Sequence, residues 1–203
     1  MLIPFDAAHE ALLQHLPSLW SVVDGAWNDY QTKIPVDARA VASLRTRASF
    51  VHDFMVSRSL EMAEATSCVS SKWHRMMFVL IFESDNGLIV VRLKKLDEDG
   101  VSRNNPTKQV IDFKRQEAIP GLEADHHLEV GYILNPTQDH IQSVELVCPS
   151  GEGGVYWMAE VTPKATRENV FNLWEHRGEE EQQGTGFTVI CRKIRSDEDE
   201  SAG

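Results

Sequence analysis

The sequence predicts an α+β domain: N-terminal helices including one long helix, then a mostly antiparallel sheet with one or two short inserted helices. Three observations carry that expectation. Apolar residues recur at three- and four-residue spacing through the first 66 positions. Two apolar runs flank Asp85-Asn86-Gly87, the mark of a hairpin from Met76 to Lys95. Further apolar, β-branched runs follow from residue 127, separated by turn residues. The predicted domain covers 1–195, helical over 1–66 and sheet over 73–195. A disordered acidic tail, 196–203, follows it.

Taken in order, Ala7 to Leu16 reads as a helix with Asp6 placed to cap it, and Pro17 breaks or restarts the helix. Ser18 to Tyr30 continues. Leu12, Leu16, Leu19, Val22, Val23, Ala26 and Tyr30 form a core-facing stripe. Asp37 to Ala65 predicts one long helix, about 40 Å at 1.5 Å per residue. Its inner stripe is Val41, Leu44, Ala48, Val51, Met55 and Met62. Residues 66–72 read as a Ser/Thr-rich connector.

Asn86-Gly87 supplies the two positive-φ residues of a type I′ turn. With those as the loop, Phe82 faces Val91, Leu80 faces Leu93 and Phe78 faces Lys95. On the other face Ile81 meets Arg92 and Val79 meets Lys94. Strand side chains alternate, so this register makes one apolar face and one mixed face carrying Arg75, Arg92 and Lys94.

A polar loop follows, and Asn105-Pro106 reads as cap and first position of a short helix to about Glu117. His127–Leu134, Ile141–Cys148 and Val155–Val161 predict an antiparallel meander, with turns at Asn135-Pro136-Thr137 and Pro149-Ser150-Gly151. Arg167 to His176 predicts a short helix, 178–186 a loop, and Phe187–Ile194 a last strand.

Composition bounds the function. Hydrophobic content of 42% with 25% charged residues excludes bulk disorder. Cys68, Cys148 and Cys191 are dispersed and odd in number, so they read as free thiols in a reducing compartment. The start, Met1-Leu-Ile-Pro-Phe-Asp, lacks the basic region and apolar core of a signal peptide, and no run of ~18 apolar residues occurs. A cytoplasmic protein without membrane contact is expected. Net charge is −11, which argues against broad nucleic-acid binding. It is uneven: residues 39–116 hold 13 Lys/Arg against nine acids, while residues 117–203 hold six against 17.

Motifs of named chemistry fail on spacing. His52-Asp53 resembles the central pair of the HD phosphohydrolase metal site, but that family needs further ligands within an all-helical domain, and here strands follow. Asp97-x-Asp99-Gly100 resembles a calcium loop, but its glycine comes too early and the twelfth residue is Lys108. A PD-(D/E)xK nuclease needs an acid on the second hairpin strand, which reads Val-Val-Arg-Leu-Lys-Lys instead. Asp125-His126-His127 is compact and ligand-like. Adjacent strand residues point to opposite faces, however, so an ion would also need His140 or Glu129. No metal, cofactor or catalytic residue is expected.

The basic middle remains. Trp73, Arg75, Arg92, Lys94, Lys95 and Arg103 are the candidate residues for an anion or nucleic acid, with Trp73 placed to stack on a base and Lys108, Lys114 and Arg115 nearby. The expected function is a non-catalytic, protein-binding accessory or regulatory protein of a bacterial antitoxin, immunity or defence type. Its acidic C-terminal part would suit a basic partner. The alternative is a nucleic-acid-binding protein using the basic hairpin face; a third reading, an enzyme with an unmarked site, would show as a deep pocket holding several ionisable side chains.

Overall fold

Helices α1 (Phe5–Leu12) and α2 (Leu16–Lys33) open the chain, joined by a single 3₁₀ turn, Leu13–His15. The computed structural model describes residues 2–103, 105–151, 153–163 and 187–194, with side chains of the last segment described only at Thr188. The predicted helix 167–176, loop 178–186 and acidic tail 196–203 lie outside the described residues. Pro17 sits in the first turn of α2, where its missing N–H has no intrahelical partner to lose. All seven residues of the predicted stripe from Leu12 to Tyr30 are buried.

The long helix is two helices. Helix α3 (Val36–Val41) ends in an extended Ala42, and α4 (Leu44–Ala65) starts afresh. Ser43 caps α4, its side chain accepting from the Thr46 amide at 3.2 Å. A serine cap is worth about 1 kcal/mol, enough to favour a restart over continuous helix. The restart leaves Val51, Met55 and Met62 inward, as expected. Val41 and Leu44, placed by sequence on the same stripe, are exposed instead, Val41 to 87%. Arg58 of α4 donates to Asp29 of α2 at 2.7 Å, and Lys33 reaches the same carboxylate at 2.9 Å. These contacts hold the Asp29 carboxyl below the usual carboxylate range.

Seven strands form one sheet in chain order: β1 (Val69–His74), β2 (Met77–Ser84), β3 (Gly87–Lys95), β4 (His126–Leu134), β5 (Ile141–Pro149), β6 (Val155–Pro163) and β7 (Phe187–Ile194). Strand β1 occupies most of the predicted connector. Its residues, Val-Ser-Ser-Lys-Trp-His, lack an apolar face because β1 is an edge strand with exposed positions on both sides. Every pairing is antiparallel except β3 with β4. The predicted antiparallel meander is β4, β5 and β6, and the parallel β3–β4 pairing joins it to the hairpin. Thirty residues separate β3 from β4, room for the crossover that a parallel pair requires. That crossover contains α5 (Lys108–Lys114), capped by Thr107 rather than Asn105.

The hairpin holds, with a shifted register. Ser84 pairs with Gly87, so the loop is Asp85-Asn86, and Leu80 rather than Phe82 faces Val91. A type I′ loop needs two positive-φ residues. Here Gly87 alone is positive, at φ 98°. A Cβ on Gly87 would also fall 2.4 Å from the Asp125 carboxylate, which accepts the Leu88 amide. The slip is two residues, the period of a strand, so the side chains of β2 and β3 keep their predicted faces; Arg75, expected on the face of Arg92 and Lys94, lies instead in the β1–β2 turn with φ 56°.

The two faces differ. One carries Phe78, Leu80, Phe82, Ile89, Val91, Leu93, Leu128, Val130, Tyr132, Leu146 and Trp157, packed with α1, α2 and α4 into the main core. Trp157 also donates to the Ile3 carbonyl at 2.8 Å, fastening the N-terminal segment. The opposite face has a smaller cluster of Met77, Val79, Val90, Phe113, Ile119 and Leu122 beneath α5. Among the described residues no helix is long and apolar enough to cross a membrane.

Candidate functional site: a buried ion pair beside a basic cleft

The hairpin's basic face lies under α5, on the side of the sheet away from the long helix. Parallel pairing of β3 with β4 sets Arg92 beside Glu129, Nη1 to Oε1 3.5 Å, with the two residues 4% and 1% exposed. The Phe113 ring of α5 covers this pair: the Arg92 guanidinium stands 4.8 Å from its centroid, within cation–π reach. His127 stacks on Phe113 at 4.5 Å and donates from Nδ1 to the Phe113 carbonyl at 3.1 Å. Burial pushes the His127 imidazole down to about 4. A carbonyl only accepts, so His127 is the Nδ1–H tautomer, and its buried Nε2 has no hydrogen-bond partner among the described residues.

Gln116 locks α5 to the sheet. Its side chain accepts the His127 amide at 2.8 Å and donates to the His127 carbonyl at 2.7 Å and the Pro149 carbonyl at 3.1 Å. Gln116 itself takes φ 59° to do so. Lys94 continues the face and is half-buried. Burial, then repulsion from Arg92 and Lys114, lowers its ammonium to about 7 against the opposing pull of Glu129. The register runs from Lys94 to Gly131, Glu145 and Glu160 across four neighbouring strands, placing these side chains on one face. Gly131 is required in that row, because a Cβ there would sit 2.0 Å from the Lys94 carbonyl oxygen.

The six candidate binding residues are therefore dispersed. Arg92 is enclosed. Lys95 lies on the helix side, donating to Gln138 at 3.0 Å. Trp73 and Arg75 stand at the β1–β2 turn, both exposed. Arg103 lines a cleft of about 390 Å³ between α5, Ser102, Pro106 and Gly153. Lys114 and Arg115 line the same cleft, with Pro106, Val110 and Ile111 as its apolar wall. Lys114 donates to the Ser102 carbonyl at 2.7 Å, tying helix to loop. Lys108 turns back to Asp112 at 2.9 Å.

The metal candidates do not converge. His126 and His127 start β4 on opposite faces, and His140 lies beyond its far end, exposed and 2.7 Å from Asp139. Among the described residues no three His, Cys, Asp or Glu side chains form a group that could hold an ion. Asp97 of the calcium-like loop accepts the Asp99 and Val101 amides, closing a turn. Cys148 is buried, its thiol pushed up to about 12, and Cys68 is exposed.

Sequence reasoning named Glu129 only as a possible metal ligand and did not single out Glu145 or Glu160. A signal exists: Glu129, Glu145 and Glu160 each interrupt an apolar strand, flanked by Leu128 and Val130, Val144 and Leu146, Ala159 and Val161. No family model matches the chain, and no curated protein or solved structure matches it.

Proposed function

We propose that the protein acts by binding another protein, as a non-catalytic accessory or regulatory component, and that the β1–β2 hairpin is where it docks. One observation supports this reading above others. Trp73, Arg75 and Met76 cluster at the hairpin tip, with Trp73 55% and Met76 94% exposed. Trp, Met and Arg are the residue types enriched at protein interfaces. The tip is also held from behind: Gln109 donates to the His74 carbonyl at 3.1 Å, Lys72 donates to the Gly121 carbonyl at 2.9 Å, and Trp73 packs edge-on against Phe78. A rigid anchor loses less freedom on binding. Strand β1 pairs only with β2 among the described residues, leaving an edge to which a partner strand can add.

Nucleic-acid binding across the basic hairpin face draws less support. Arg92 is engaged with Glu129 inside the protein, and Lys95 faces the other side of the sheet. The test is affinity capture from native lysate with wild type, a Trp73→Ser/Met76→Asp variant and a Glu64→Lys control. A stoichiometric protein partner lost only with the hairpin variant supports the reading. No stoichiometric partner for wild type, or one retained by the hairpin variant, sinks it.

A further inference from the structure

We propose that the cleft between α5 and the Ser102–Arg103 segment binds a small organic anion, its charged group held by Arg103, Lys114 and Arg115 and its body resting on Pro106, Val110 and Ile111. The site is separate from the hairpin tip and does not depend on the protein-binding reading.

Its volume, about 390 Å³, falls within the range of small-molecule sites, which combine an apolar lining with a few placed polar groups. The polarity is one-sided. Among the described residues the lining holds three cations and no carboxylate, in a chain of net charge −11. Cations concentrated against the charge of the whole molecule mark a local anion site. Two of the three are guanidinium groups, whose planar forks match the paired oxygens of a phosphate or carboxylate.

The cations are also placed. The Lys114 bond to Ser102 holds the helix wall to the loop wall. Arg115 lies against the β5–β6 turn: a Cβ on Gly151 would meet its Cγ at 3.2 Å. Helix α5 is fixed beneath by Phe113 and Gln116, so the cleft's helical wall belongs to packed structure. Arg103 and Arg115 are exposed, so an entering ligand meets them first.

Titration calorimetry of the full chain at low salt, with phenyl phosphate, benzoate, inorganic phosphate and benzyl alcohol as probes, tests the proposal. Phenyl phosphate or benzoate is expected to bind about tenfold more tightly than inorganic phosphate, through the apolar wall, with benzyl alcohol showing no binding. The stronger of the two aromatic anions identifies a phosphate or a carboxylate as the preferred group. Arg103→Glu with Arg115→Glu, two surface changes whose folding is checked by circular dichroism, is expected to weaken that binding at least tenfold. Three outcomes overturn the proposal: no binding of either aromatic anion at millimolar concentration, affinity unchanged in the charge-reversed variant, or inorganic phosphate binding as tightly as the stronger aromatic anion.

Discussion

Removing one partner of the Arg92–Glu129 pair should cost far more than removing both. Each residue is almost fully enclosed, at 4% and 1% exposure, so either single change leaves a charge away from water without the opposite charge that faces it. Breaking a buried pair from one side costs about 3–5 kcal/mol. Glu129→Leu should fall near the lower figure, because Arg92 keeps its contact with the Phe113 ring, worth up to about 2 kcal/mol when desolvated. Arg92→Met loses that contact as well and leaves Glu129 enclosed, so about 4 kcal/mol is expected. The double variant Arg92→Met/Glu129→Leu replaces two charges by apolar groups and should cost only about 1–2 kcal/mol, chiefly the cation–π contact. The cycle therefore predicts a coupling energy of about 5 kcal/mol. Urea denaturation followed by tryptophan fluorescence measures it, aided by five tryptophans. For a chain of this length each single variant should also lower Tm by about 10 °C. A double variant whose loss equals the sum of the singles within ~0.5 kcal/mol would refute the reasoning, because independent sites add to that tolerance.

Two further outcomes follow from the same face. The His127 imidazole titrates near 4 when folded, below its ordinary 6.5, so the unfolded chain binds the proton first. Its stabilising contribution is complete above about pH 6.5 and is lost as pH falls toward 4, roughly 3 kcal/mol in all. Urea midpoints measured from pH 7 to 4.5 should fall less steeply in His127→Gln than in wild type, and parallel curves would contradict this. Gly131→Ala should destabilise by roughly 1–3 kcal/mol or more, since the added methyl meets backbone rather than a movable side chain. An unchanged urea midpoint would show that β3 and β4 separate more readily than their register implies.

The helix stripes were legible because burial on a helix repeats over a few residues. Val51, Met55 and Met62 face inward for that reason, while Val41 fails because Ser43 restarts the helix and turns the stripe away. The candidate site was less legible. Trp73 and Arg103 were singled out and lie at exposed features, yet Arg92 belongs to the interior. Its partner Glu129 stands 37 residues along the chain and becomes a neighbour only through the parallel crossover.

From sequence alone came the α+β class, the hairpin between Met76 and Lys95, and the face on which each of its side chains lies. Strand alternation has a period of two, so even a register displaced by two residues preserved that sorting. Tertiary structure decided what each face meets. It joined β3 to β4 in parallel, added the polar strand β1 at the edge, laid Phe113 over Arg92, and gathered Arg103, Lys114 and Arg115 around one cleft. These outcomes depend on which distant segments become adjacent, and local periodicity carries no term for that.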